Sequence, residues 1–226
     1  MGKYPIVPVP EGKVQKFAIE IVRDTDGRIS MVVMQSPFGT LSYGWRPEGN
    51  GFDGWIWEET GGGGAVTLPY FHLGRQLFVG LIKENRLNMG GETLCILGGF
   101  INPGESHFNA QAREANEESD LKTKKAKEIS GLPMNSNRLY FAADPNKDEG
   151  IHAYGFEISD EMLERNKEGW MVFKSEFLSL HPKAKNMVFL PWQKAIRESA
   201  DILAVATIGR FVAMLDRYSF FLRNLA

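Results

Sequence analysis

The chain has 226 residues, 43% of them hydrophobic and 24% charged, with a net charge of −2 and a single cysteine. That length holds one large domain or a small one beside a medium one, and the composition is that of a soluble globular protein. The near-neutral charge argues against broad attraction to nucleic acid or an anionic membrane, and one cysteine excludes an intramolecular disulfide framework.

The N-terminus, Met1-Gly2-Lys3-Tyr4-Pro5, has no apolar signal region, and no run approaches the ~18 apolar residues of a membrane span. The expectation is therefore a soluble, cytoplasmic protein. Residues 1–60 read as an all-β segment: 14–22 and 29–35 alternate as strands do, and Asp24-Thr25-Asp26-Gly27 supplies a turn. A stretch rich in Gly, Trp and Pro follows, with Trp45, Pro47, Trp55 and Trp57, and then Gly61-Gly62-Gly63-Gly64 as a flexible break. The tryptophans either fill the core of a small sheet or offer an aromatic that stacks on a ligand or helps to make a dimer. Beyond the break, 65–71 and 76–83 read as a hairpin around Leu73-Gly74-Arg75. It feeds an apolar strand at 93–97 in which Cys95 is a buried thiol.

The densest chemistry lies at 98–121. Gly98-Gly99-Phe100-Ile101-Asn102-Pro103-Gly104-Glu105 forms a glycine-rich turn, Ser106 stands as an N-cap, and nothing breaks a helix from 107 to about 119. At about 100° per residue, Glu114, Glu117 and Glu118 share an arc of roughly 100°, while Phe108, Ala112 and Ala115 form a separate stripe. One face is expected to pack while the other presents three carboxylates. Like charges at these spacings destabilise an isolated helix by roughly 0.2–0.5 kcal/mol per pair. The cluster is thus a solvated acidic face or a cation site. Arg113 beside it, Glu105 ahead of it and the carbonyls of the turn suit a hard divalent ion such as Mg²⁺, which takes oxygen ligands.

The stretch resembles the Nudix box: a glycine, five residues, Glu, seven residues, Arg-Glu, an aliphatic, any residue, Glu-Glu, any residue, Gly and an aliphatic. Gly99, Glu105, Arg113, Glu114, Glu117, Glu118 and Leu121 stand at the required spacings. Ala115 is smaller than the usual aliphatic. Asp120 replaces the glycine at the helix end, where a left-handed cap is usual and Asp is better tolerated than most residues. The resemblance implies a hydrolase that cleaves the diphosphate bond of a nucleoside diphosphate linked to another moiety, using Mg²⁺ or Mn²⁺. Carried over residue by residue, Glu114, Glu118 and the Gly98 carbonyl are metal ligands, and Glu117 assists or binds a second ion. Arg113 orients the glutamates through charge-assisted hydrogen bonds, and Glu105 supports the cluster from nearby.

After the box, Lys122-Thr123-Lys124-Lys125-Ala126-Lys127 is a short basic run without interleaved aromatics, which reads as solvated surface. Residues 138–143 and 151–158 read as strands joined by Asp144-Pro145-Asn146-Lys147-Asp148-Glu149-Gly150, by composition a turn. In ADP-ribose-type Nudix enzymes this loop supplies a further glutamate, as metal ligand or general base. The resemblance points to Glu149, with Asp148 its rival. Such enzymes often carry an N-terminal β extension, which favours the reading in which an aromatic of this segment stacks on a nucleobase or helps to make a dimer, without choosing which tryptophan. Ser159-Asp160-Glu161 opens a short helix, 191–196 starts another, and 201–215 forms a third. The last is apolar on several faces (Ile202, Leu203, Val205, Ile208, Phe211, Val212, Met214, Leu215), so it is buried in the domain or in a partner. His72, His107, His152 and His181 share no metal-ligand spacing.

The expected architecture is α/β: a Nudix α/β/α sandwich with a mixed sheet at 61–226, including C-terminal helices, preceded by a small β-rich N-terminal segment at 1–60. The expected reaction is hydrolysis of ADP-ribose or a nucleotide sugar to a nucleoside monophosphate and a phosphorylated moiety. A nucleoside triphosphate or dinucleoside polyphosphate is the rival substrate. A catalytically silent nucleotide sensor is the rival class, against which the intact glutamate cluster speaks. The expected partner is a small nucleotide, not nucleic acid or membrane, and the excess apolar surface of the last helix predicts a homodimer.

Overall fold

Two sheets carry the fold. A computed structural model describes residues 20–23, 29–36, 39–45, 52–59, 61–86, 91–132, 134, 140–141 and 150–223, with side chains at 39–41, 61–86, 91–132, 134 and 150–216. In the N-terminal sheet, β1 (Glu20–Arg23), β2 (Ile29–Ser36), β3 (Gly39–Trp45) and β4 (Phe52–Glu59) form an antiparallel meander, as the alternation at 29–35 leads one to expect. Most of the strand expected at 14–22, its turn and the tryptophan side chains lie outside the described residues.

The central sheet is framed by β5 (Gly63–Leu73) and β6 (Gln76–Arg86), which turn on Gly74 at φ +59°. The two arms pair with each other only beside their turn, from Tyr70↔Val79 to Leu73↔Gln76. Farther out they diverge, and residues 91–100 are wedged between them. β7 (Gly91–Cys95) pairs with β6, and β8 (Leu97–Phe100) pairs with β5. The single strand expected at 93–97 is therefore two half-strands, because one straight strand cannot follow both diverging arms. Ile96 stands at the break, its amide donating to Asp201 Oδ2 at 3.0 Å, while Ser199 Oγ donates to the Leu94 carbonyl at 2.7 Å.

The glycines at 61–64 are no flexible break. Gly63 and Gly64 are buried at the start of β5, the Ile101 amide donates to the Gly63 carbonyl at 3.1 Å, and the Gly150 amide donates to Gly62 at 2.7 Å. A Cβ on Gly63 would lie 1.9 Å from the Gly150 oxygen, so glycine here permits close backbone approach.

The box helix α1 (His107–Ser119) comes next, followed by β9 (Lys127–Glu128), β10 (Tyr140–Phe141) and β11 (Gly150–Glu157). Of the strands expected at 138–143 and 151–158, the described residues do not pair with each other: β10 pairs parallel with β4 of the N-terminal sheet, and β9, from the basic run, lies beside β11. The four lysines of that run are exposed as expected, but Thr123 among them is fully buried. A 3₁₀ turn, Asp160–Met162, stands where the short helix was expected. β12 (Leu163–Arg165), β13 (Met171–Phe173), α2 (Ser175–Leu180), β14 (Met187–Pro191), α3 (Trp192–Glu198) and α4 (Ile202–Arg223) complete the chain. The strand order is β12-β13-β14-β6-β5-β11-β9, with β11 parallel to β5 and its other neighbours antiparallel, so the sheet is mixed.

Side-chain alternation divides the core between the two faces of the sheet. Val66, Leu68, Val79, Leu81, Ile151 and Ala153 meet Ala195 of α3 and Ala204, Ile208 and Phe211 of α4. On the opposite face Ala65 and Tyr154 meet Ala110 of α1, beside a cluster of Phe71, Phe78, Ile82, Leu97 and Phe189. Each large apolar side chain buried in this way contributes about 1.5–3 kcal/mol. The result is the α/β/α sandwich that the resemblance implies. Among the described residues no helix is long and apolar enough to cross a membrane.

Candidate active site

Local rules set the ends of α1. Ser106 accepts the Asn109 amide at 3.2 Å as N-cap, and Asp120 closes the C-terminal end in the left-handed region at φ 56°, its own amide donating to Asn116 O at 3.0 Å. Of the expected stripe Ala115 is buried and Ala112 half-buried, but the packed face extends beyond it. Phe108 is 40% exposed and lies edge-on to Tyr154, whereas Ala110, Gln111, Ala115 and Ser119 are the buried positions. At about 100° per residue, Glu114 and Glu118 fall between Ala110 and Gln111. Two carboxylates thus lie on the packing face, against β8, and only Glu117 points away, its side chain 57% exposed. The polar Gln111 is tolerated because Thr67 Oγ1 and Thr123 Oγ1 donate to its Oε1 at 3.1 and 2.9 Å, fixing the helix to β5 and to the loop that follows.

Glycine makes the close approach of helix and strand possible. A Cβ on Gly99 would lie 2.5 Å from the Glu114 carboxyl carbon, and one on Gly98, at φ +147°, would lie 2.3 Å from the Ala65 oxygen. The Gly98 amide donates to Glu118 Oε2 at 3.0 Å. Arg113 organises the rest. Its Nε and Nη2 grip Glu105 at 3.0 and 2.9 Å, Nη2 also reaches the Phe100 carbonyl at 2.8 Å, and Nη1 donates to Glu114 at 2.6 Å and Glu117 at 3.4 Å. Bidentate grip fixes both position and plane. The Arg113 bonds hold the Glu105 carboxyl below the usual carboxylate range. Glu118 goes the other way: burial pushes it up to about 7 against the pull of the Gly98 amide, with the charges of Glu84 and Glu114 adding to the rise.

Glu114, Glu118, Gly98 and Gly99 line a cavity of about 700 Å³ whose other wall carries Lys83, Glu84 and Arg86 from the end of β6, and Asn186. Those four wall residues were not singled out from the sequence. The available signal was the abrupt change in β6 from buried apolar residues through Ile82 to Lys83-Glu84-Asn85-Arg86. Arg86 Nη2 pairs with Glu84 at 2.6 Å, while its Nε is buried with no hydrogen-bond partner among the described residues.

Among the described residues no three His, Cys, Asp or Glu side chains are gathered as a metal-ligand set. Glu114 is turned to Arg113 and Glu118 to the Gly98 amide instead. The donor chemistry nevertheless fits a hard cation, because Glu84, Glu114 and a half-buried Glu118 share one cavity, where the charges of the first two oppose ionisation of the third. Glu149 and Asp148 lie outside the described residues. Their neighbour Gly150 opens β11 beside Gly63 while Gly64 pairs with Phe100, so β11 begins at the same end of the sheet as the box turn. His107 Nε2 lies 3.2 Å from the Gly150 oxygen.

No family model and no curated protein matches the chain. Solved structures do. The ADP compounds hydrolase is 16% identical, with a TM-score of 0.51 over 84% of this chain and 92% of that one. A mutT/nudix family protein from Listeria innocua is 19% identical over 70% of this chain and 97% of its own, at a TM-score of 0.46. An Ap4A hydrolase from C. elegans, in a binary complex, is 14% identical over 68% and 98%, at 0.44. The chain is thus an α/β/α protein whose box helix stands behind a glycine turn. It shares its fold with the ADP compounds hydrolase.

Proposed function

We propose that the protein is a Nudix-type pyrophosphohydrolase acting on ADP-ribose or a nucleotide sugar. The observation that supports this most is the cavity itself, which the α1 carboxylates Glu114 and Glu118 line together with the Arg86 guanidinium. A cation and a diphosphate together require this pairing of opposite charges. The ADP compounds hydrolase, which shares the fold, carries a name in keeping with that substrate class.

Glu114, Glu118 and the Gly98 carbonyl, with Glu117 at the margin, would hold Mg²⁺ or Mn²⁺. When bound, such an ion neutralises diphosphate charge and polarises the phosphoryl oxygens. Arg86 binds and orients the diphosphate through a planar fork suited to phosphate, while the Lys83 ammonium is held by Glu168 at 3.7 Å and over the Trp170 ring at 4.3 Å. Arg113 fixes the Glu114 carboxylate, and Glu105 fixes Arg113. Glu149 takes the proton from an attacking water as the new P–O bond forms in line and the anhydride P–O bond breaks.

A screen of ADP-ribose, sugar nucleotides, nucleoside triphosphates and dinucleoside polyphosphates with Mg²⁺ and Mn²⁺ tests the proposal. The expected products are a nucleoside monophosphate and a sugar phosphate. Pyrophosphate release from triphosphates alone would assign the rival substrate, and tight nucleotide binding without turnover would make the protein a sensor.

A further inference from the structure

We propose that Asp120, where the Nudix box has glycine, is a positioning residue that ties the 3₁₀ turn Pro182–Asn186 to the end of α1 and thereby places Asn186 in the cavity wall. The inference rests on the function proposed above, since the wall is taken as the substrate's. Asp120 is the single non-glycine residue at positive φ among the described residues, a conformation that glycine adopts without side-chain strain. Its side chain reaches a segment 63 residues away: Oδ2 accepts the Lys183 amide at 2.9 Å, and Oδ1 lies 3.5 Å from Lys183 Nζ. Glycine could make neither contact.

The far end of that turn is where the consequence falls. Asn186 lines the cavity together with Glu118, Lys83 and Arg86. The chain runs directly from it into β14, where Met187 pairs with Ile82, the residue preceding Lys83. The turn is therefore held at one end by the sheet and at the other by Asp120, with Ala184 buried between. Releasing the Asp120 end lets the turn swing about β14 and takes Asn186 out of register with Arg86 on β6.

Variants D120G, D120N and N186A test this by KM and kcat with ADP-ribose and Mg²⁺, by calorimetric affinity for ADP, and by amide hydrogen exchange at 182–186. D120G is expected to raise KM and the ADP Kd about tenfold, the effect of one lost polar contact, with kcat within about twofold. Exchange at 182–186 should quicken while Tm holds, because relief of the left-handed strain offsets the lost bonds. D120N retains an acceptor for the Lys183 amide and should stay close to wild type. N186A should reproduce the KM effect, and D120G/N186A should be no worse than either single variant. Unchanged KM and exchange in D120G, a D120N as impaired as D120G, or additive single effects would each overturn the inference. Should the wild-type chain hydrolyse no diphosphate compound, the proposed function fails, while ADP affinity and exchange still decide the role of Asp120.

Discussion

Glu118 stands between opposing influences, and the balance makes a measurable pH dependence. Burial raises it from 4.5 to about 7 while the Gly98 amide stabilises its ionised form. Between those values the folded state holds a proton that the unfolded chain has released. The resulting stability, roughly 3 kcal/mol at about 1.4 kcal/mol per pKa unit, is fully present below pH 4.5 and lost as pH rises through about 7. A cation that replaces the proton restores it. The gain in Tm on adding Mg²⁺ is therefore expected to be larger at about pH 8 than at about pH 6. Glu118→Gln should abolish that difference in paired thermal scans. Glu149→Gln should lower kcat roughly 10²–10⁴-fold with a smaller effect on KM. Asp148→Asn is its control, and damage confined to that variant would move the base by one residue. The box residues were legible because their meeting is local, set by helical spacing and a cap. Lys83, Glu84 and Arg86 were not, because nothing near them in sequence says that β6 passes the end of α1.

At the scale of elements, α1 illustrates how a correct helix can carry a face only partly foreseen. Ser106 and Asp120 mark its ends by side-chain and backbone chemistry that a sequence displays. Its buried stripe is set by distant partners: Thr67 and Thr123 satisfy Gln111, and a cavity receives the glutamates. Apolar spacing alone chose Phe108, Ala112 and Ala115, of which Ala115 is buried. The wedge at 91–100 was misread for a similar reason, since an apolar run does not reveal that its halves pair with different strands. The fit of β8 against α1 yields a sharp test. Gly99 has ordinary backbone angles, but an added Cβ meets the flexible end of Glu114 at 2.5 Å. Gly99→Ala is expected to cost under ~1 kcal/mol in chemical denaturation, since the side chain can move aside, yet to cut kcat at least tenfold by displacing that carboxylate. An unchanged kcat would show that Glu114 works from another position.

For the whole molecule, the sandwich and its mixed sheet followed from the box and the flanking strand patterns. The link between the sheets, with β10 added to the N-terminal one, depends on a pairing across 80-odd residues that no local pattern encodes. The last helix bears on assembly. Ala204, Thr207, Ile208 and Phe211 are buried against the sheet, while Leu203, Val205, Ala206, Val212, Met214 and Leu215 remain half-buried. Leu203, Ala206, Val212, Met214 and Leu215 pack against the same core, so the homodimer read from the sequence stands as a proposal that rests on the apolar composition of the helix. Light scattering at micromolar concentration should give about twice the 25.4 kDa of one chain, and a mass of 25.4 kDa would overturn it.

The two bonds from Ser199 and Asp201 back to the wedge also impose a timetable on synthesis. Each spans 105 residues. At ~5–20 residues per second, the nascent wedge waits roughly 5–20 s for these partners to leave the ribosome. Until then the Ile96 amide and the Leu94 carbonyl lack the groups that hold the bend between β7 and β8, and the strand leading to Gly98 has no fixed course. Stalled nascent chains should therefore remain open to protease around 91–100 until Asp201 has cleared the exit tunnel, and become resistant just after it does.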